Sequence, residues 1–200
     1  MENNQKYIVP IYQKMERQGK EPGALTISLV GNGFFIEDYF VTAAHVIDEA
    51  GNAYINVGNE EKKLSRENAI IWRSMLEKAY EYDNLDAGDI AVYRFDGVKS
   101  PLKLSESMPN QGDILVSCYY YNETWHQTKG SVGDNDDWFR GNFFGWKTDS
   151  DNLHPTEGGS SGSPLLKNNI VYGVLHAGNE EDPSICVFTS ASFVKKLFLK

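Results

Sequence analysis

Basic residues are in deficit, with 19 Lys and Arg against 28 Asp and Glu, a net charge of −9 and a pI near 4.9. A chain of that sign lacks the cationic face that a nucleic-acid partner requires. Long apolar runs are also missing, and no stretch reaches the roughly 20 residues a membrane-spanning helix needs. The segment Met1 to Glu21 scatters Lys6, Lys14, Arg17 and Lys20 among Glu and Gln and has no apolar core of a secretory signal. With Met1 as the native start the expected location is the cytoplasm; with a signal peptide trimmed away it is the periplasm or the exterior. Cysteine is limited to Cys118 and Cys186, too few for a disulfide framework, so both are expected as buried thiols. No pair of histidines has metal-ligand spacing with a third donor, so a zinc site is not expected. Asp134-Asn135-Asp136-Asp137 lacks both the spacing and the later Glu of a calcium loop and reads as a solvated turn.

What the chain does have is short strand patterns. With 200 residues and 40% hydrophobic content it can bury a core as one domain or as two small lobes sharing an interface. Leu25 to Val30, Gly33 to Ile36, Tyr39 to Thr42 and Ala53 to Val57 are strand-like runs broken by Gly, Asn and Asp, the texture of an antiparallel barrel. A second set, from Leu102 to Thr189, supplies another. Ile8, Ile11, Tyr12 and Met15 recur at helical spacing and predict a short N-terminal helix. Ile70, Ile71, Met75, Leu76 and Ala79 predict a helical insert over 66–82. Ala191 to Lys200 reads as a terminal helix with Phe193, Leu197 and Phe198 facing inward. The expected architecture is all-β, with an N-terminal segment over 1–24, a first barrel over 25–100, a second over 101–190 and a helix over 191–200.

Three separated segments carry chemistry. Thr156-Glu157-Gly158-Gly159-Ser160-Ser161-Gly162-Ser163-Pro164 sets a hydroxyl among glycines that let backbone N–H groups turn toward one point. Thr42-Ala43-Ala44-His45 ends an apolar strand pair at a histidine flanked by small residues. Asp89-Ile90-Ala91-Val92 opens a strand fit for burial with an acid, whereas Asp83 and Asp86 sit in a loop. A serine hydroxyl needs a base to take its proton, and an imidazole needs an acid to fix its tautomer. Gly158-Gly159-Ser160-Ser161-Gly162 also fits a nucleophile elbow centred on Ser160, but that fold needs a helix directly after the serine, where Pro164 and Asn168-Asn169 follow.

In order and content these three segments resemble the signatures of the chymotrypsin-like (trypsin-fold) serine proteases, over a match running from about Gly31 to the C-terminus. The resemblance implies two six-stranded antiparallel barrels and hydrolysis of peptide or protein substrates through an acyl-enzyme, with no metal and no organic cofactor. It implies His45 as general base and acid, Asp89 as its orienter, Ser161 as nucleophile, and the N–H groups of Gly159 and Ser161 as oxyanion hole. It also implies a strand edge from Leu175 through His176 and Ala177 to Gly178 that pairs with substrate backbone. Ser160 stands where trypsin has the aspartate that receives the freed N-terminus, so that zymogen switch has no counterpart. The alternatives are an enzyme competent as folded and one controlled by a partner or by its first 20 residues. A non-cleaving, peptide-binding module of the same fold is the rival function.

Substrate preference is read from the same residues. Thr156 to Pro164, Gly173-x-Leu175-His176-x-Gly178 and Val187-Phe188-Thr189-Ser190 most resemble the bacterial lysyl endopeptidases, which implies Asp182 as a pocket acid. Glutamyl endopeptidases instead pair a threonine before the nucleophile with a later histidine, as Thr156 and His176 do. Aligning on Gly173 puts Leu175 at that position, and a one-residue shift in a strand reverses the side chain. Carboxylates at Glu180, Glu181 and Asp182 favour a cationic residue before the cut.

Overall fold

The computed structural model describes residues 2–16, 25–75, 86–133, 139–149, 158–179 and 181–199. Thr156, Glu157, Glu180, Asp83, His154, the acidic turn at 134–137 and the part of the expected insert beyond Met75 lie outside them.

The chain opens with a 3-10 turn, Glu2–Tyr7, and continues as strands β1 (Ile8–Glu16), β2 (Leu25–Ile36) and β3 (Tyr39–Thr42). Helix α1 (Ala44–Ala50) follows, then β4 (Ala53–Val57), β5 (Glu60–Leu64), β6 (Ile71–Arg73) and β7 (Ile90–Arg94). These strands form one sheet in the order β5-β4-β1-β2-β3-β7-β6, which curls into a half-barrel. The remaining strands are β8 (Lys103–Leu104), β9 (Ile114–Tyr121), β10 (Thr124–Val132), β11 (Phe139–Arg140), β12 (Phe143–Thr148), β13 (Pro164–Lys167), β14 (Ile170–Gly178) and β15 (Ile185–Ser190). Six of them run β10-β9-β13-β14-β15-β12, and pairing of β10 with β12 closes the antiparallel barrel. Helix α2 (Ala191–Phe198) ends the described chain. The all-β class, the closed second barrel and the terminal helix match the sequence reading; the first lobe is an open, curled sheet where a second closed barrel was expected.

Two helical expectations are corrected. The N-terminal segment contributes β1, a strand inside the first sheet between β4 and β2, where a helix was expected. β1 buries side chains on both faces, Ile8 in the cluster between the lobes and Ile11 in the first-lobe core, so two buried residues three apart imitate a helical period. A switch that works by releasing the first 20 residues would therefore remove a structural strand. Within 66–75 the expected insert is a 3-10 turn, Arg66–Asn68, and then β6, which pairs with β7. Ile71 and Trp72 are β-formers facing an open sheet edge, and that pairing outcompetes the helical spacing of the apolar residues. Arg66 covers the Trp72 ring at 5.7 Å, a cation–π contact that closes this corner.

Apolar side chains divide between the lobes and the seam. Phe35, Phe40, Val46, Ile55 and Tyr93 fill the first lobe; Leu115, Phe144, Trp146, Leu175 and Phe188 fill the second. A third cluster joins Phe34, Val41, Ile90 and Val92 of the half-barrel to Val171, Val174 and Val194, so the two lobes share buried surface. Cys118 and Cys186 are buried and unpaired as expected. Burial pushes their thiols up to about 11 and about 12 respectively. Among the described residues no helix is long and apolar enough to cross a membrane.

Candidate active site

His45 and Asp89 are brought together by strand register. Thr42 of β3 lies opposite Ala91 of β7, so the residues just past that pair, His45 on α1 and Asp89 before β7, meet at the same end of the sheet. Asp89 is fully buried and also completes the helix. The N-cap residue Ala43 offers no side chain to the orphan N–H groups of α1, and the His45 N–H donates instead to Asp89 Oδ1 at 3.0 Å. The imidazole of the same residue donates through Nδ1 to Asp89 Oδ2 at 2.5 Å. Two contacts from one residue to the two carboxylate oxygens fix both the ring plane and the tautomer that leaves Nε2 free to accept a proton.

A second imidazole shares that oxygen. His176 Nδ1 lies 2.7 Å from Asp89 Oδ2, and its ring stands edge-on to that of His45 with centroids 5.9 Å apart. Phe143 packs against the His176 ring at 5.3 Å. The sequence reading placed His176 at the substrate edge; the structure places its side chain on the acid. A bulge explains the difference. β14 and β15 pair Leu175 with Phe188 and then Ala177 with Val187, so His176 is the extra residue and is turned out of alternation.

Burial alone would raise the Asp89 carboxyl, but the hydrogen bonds from His176 and His45 and their charges outweigh it and hold it far below the usual carboxylate range. For His45, burial pulls downward and is overcome by the Asp89 hydrogen bond and charge, with Glu49 and Asp48 adding, so its pKa is raised above 6.5. Nδ1 of each imidazole and the Asp89 carboxylate lie within 4.8 Å of one another, a donor set that resembles a cation site. Their N···O separations of 2.5 and 2.7 Å are hydrogen-bond lengths, shorter than the roughly 3.3 Å between ligands about a tetrahedral zinc.

The Gly/Ser loop is gripped from both lobes. On one side the Gly162 N–H donates to Leu175 O and the Leu175 N–H to Ser163 O, each at 2.9 Å. On the other, the Asn32 N–H donates to Ser161 O at 2.7 Å. Gly159 and Gly162 have φ of 97° and 82°, conformations that L side chains resist. A Cβ on Gly162 would stand 2.1 Å from Asn32 O and 2.3 Å from Thr42 Oγ1, so this loop is pressed onto the strand that leads to His45. Ser160 is buried, its carbonyl accepting from Ser163 Oγ at 2.5 Å, whereas Ser161 is half-exposed. Leu175 is buried with both backbone groups committed to the loop, which moves the start of an available edge to His176. β13 ends at Pro164 opposite Val174, so among the described residues no strand flanks Ala177 and Gly178 on that side. Asp182 is partly exposed, accepting from Ser184 and paired with Lys147 at 3.2 Å.

Sequence reasoning did not single out Asn32. Its signal was the one polar side chain in Gly31-Asn32-Gly33, between two runs of apolar residues.

The profile of the trypsin-like peptidase domain matches residues 31–174. No curated protein matches the chain in sequence. Among solved structures, the Rv3671c protease from M. tuberculosis in its active form superposes with a TM-score of 0.66 at 19% identity, covering 100% of this chain and 82% of that one. The serine endoprotease from Yersinia pestis gives 0.59 at 20% identity, covering 96% of this chain and 61% of that one. A scabies mite inactivated protease paralogue gives 0.64 at 17% identity, with coverages of 98% and 93%. At these identities the likeness is one of fold.

Proposed function

The chain belongs to the trypsin-like peptidase domain family, and from that premise we propose that it is a serine endopeptidase acting through His45, Asp89 and Ser161. The observation that carries the reading is the buried carboxylate that accepts both the ring and the backbone N–H of His45. In the proposed reaction His45 Nε2 takes the Ser161 hydroxyl proton as Oγ attacks the scissile carbonyl, and then delivers it to the leaving amine. Water deacylates the enzyme by the same route. Asp89 stays ionised throughout and stabilises the imidazolium. The N–H groups of Gly159 and Ser161 form the oxyanion hole.

Substrate backbone before the cut adds to the edge at Ala177 and Gly178 as a further strand. A preference for a basic residue before the cut rests on the lysyl-endopeptidase resemblance, on the net charge of −9 and on the carboxylates at 181–182. Lys147 occupies Asp182 through an exposed ion pair, which is weak and open to exchange with a substrate cation.

The rival reading is a non-cleaving module, for which the inactivated scabies mite paralogue is a precedent of the fold. Intact-mass analysis after fluorophosphonate treatment separates the two. The expected result is one adduct on wild type and none on Ser161→Ala; a folded wild type without an adduct would overturn the peptidase reading. Peptide-library cleavage with no enrichment of Lys or Arg before the cut would remove the basic preference alone.

A further inference from the structure

We infer that Asn32 is a positioning residue that sets the oxyanion loop from behind, a role that deepens the peptidase reading and rests on it. The carboxamide is fully buried, and both its amide protons and its carbonyl oxygen are hydrogen-bonded. Nδ2 donates one proton to Gly159 O at 2.8 Å and the other to Tyr120 O at 3.1 Å, while Oδ1 accepts the Tyr120 N–H at 2.9 Å. Beyond the last β9–β13 pair, Leu165 with Ser117, no strand among the described residues pairs with β9 on that side of Tyr120. The Asn32 side chain takes the place of that strand. It offers Tyr120 the donor and acceptor of a peptide group, and spends its remaining proton on the loop.

The backbone of Asn32 grips the same loop further along. Pairing of β2 with β3 begins at Gly33 opposite Thr42, so Asn32 lies one residue outside the ladder. Its N–H donates to Ser161 O at 2.7 Å, and its carbonyl accepts from Thr42 Oγ1 at 2.7 Å while lying against Gly162. One residue therefore holds the carbonyls of both Gly159 and Ser161. The donors assigned to the oxyanion hole are the N–H groups of these two residues. Gly159 has no Cβ and a φ of 97°, so little in its own sterics fixes the peptide planes on either side. Anchoring the Gly159 carbonyl sets the plane between the two donors. The Ser160 carbonyl, held by Ser163, sets the next one.

This is preorganisation: donors aimed before the charge develops need no reorganisation when it does. A hole displaced by about 1 Å costs on the order of 10²-fold in turnover. Asn32 touches neither substrate nor the reacting atoms, so its loss acts on the transition state and leaves ground-state binding at the Ala177–Gly178 edge in place.

The test compares wild type with Asn32→Ala, and with Asn32→Ser should the Ala variant fail to fold. The expected result is a kcat lower by about 10- to 100-fold with KM within about threefold and the acid limb of the pH profile unmoved. A peptide aldehyde, which forms an oxyanion on Ser161, should weaken by the same factor as kcat. An altered KM with unchanged kcat and aldehyde affinity would overturn the inference. Amide NMR of Gly159 and Ser161 in the free protein gives a readout independent of catalysis: both N–H resonances should shift or broaden in the variant, and unchanged resonances would overturn the clamp. If wild type neither reacts with fluorophosphonate nor cleaves peptides, the peptidase reading falls, and the amide spectra still decide whether Asn32 sets the loop.

Discussion

Asp89 Oδ2 accepts from two imidazoles, and that sharing governs how His45 titrates. A base must be neutral to take the serine proton, so kcat/KM should rise with pH through the elevated His45 pKa, with its acid limb above 6.5. Asp89→Asn should lower kcat by about 10⁴, the loss found when the acid of the serine-protease template is amidated. A turnover near wild type would show that another group orients His45. In His176→Ala the carboxylate loses a donor that spreads its charge, and the remaining charge holds a proton on His45 more firmly. The acid limb of kcat/KM should then move to higher pH; an unmoved limb would mean that His176 serves packing against Phe143 alone. His45 and Asp89 were legible in the sequence because each adjoins an apolar run whose register carries it to the site. His176 was legible as a residue of interest but not in its role, because the bulge that turns it toward Asp89 leaves no mark in residue type. Asn32 was not legible, because its partners lie 88 and 127 positions away in the chain.

At the scale of elements, strands that are apolar along their length were readable and strands buried at scattered positions were not. β3 and β7 bury nearly every residue and stand out as apolar runs, whereas β1 buries Ile8 on one face and Ile11 on the other, a three-residue spacing that belongs to a helix. β6 has only three residues, and its identity comes from the edge of β7 rather than from its own pattern. The loop from Gly158 to Ser163 is the clearest case of an element defined by what presses on it. Gly162→Ala would combine a φ of 82° with a Cβ 2.1 Å from the Asn32 carbonyl. The expected destabilisation is about 3 kcal/mol or more, from backbone strain and overpacking together. Urea unfolding measures it, and a loss under about 1 kcal/mol would mean that the loop can move away from β2 without consequence for the fold.

For the molecule as a whole, the site lies where the half-barrel and the closed barrel meet, so its ion pairs also contribute to holding the lobes together. The Asp89 pKa is depressed on folding, and its stabilising contribution is complete above 3.8 and lost as pH falls through the folded value. The His45 pKa is raised, and its contribution is complete below 6.5 and lost as pH rises through the folded value. The stability difference between wild type and Asp89→Asn should therefore be largest between pH 3.8 and 6.5 and shrink on either side. Urea unfolding across pH tests this, and a flat difference would show that the coupling does not reach global stability. The two cysteines add a consequence of another kind. Cys118 lies in the seam between the lobes and Cys186 in the core of the closed barrel, with thiols raised to about 11 and about 12. Neither presents a thiolate at neutral pH. Reagents and oxidants that act on a thiolate should therefore leave the folded protein's activity unchanged, whereas electrophiles that seek an activated hydroxyl should abolish it.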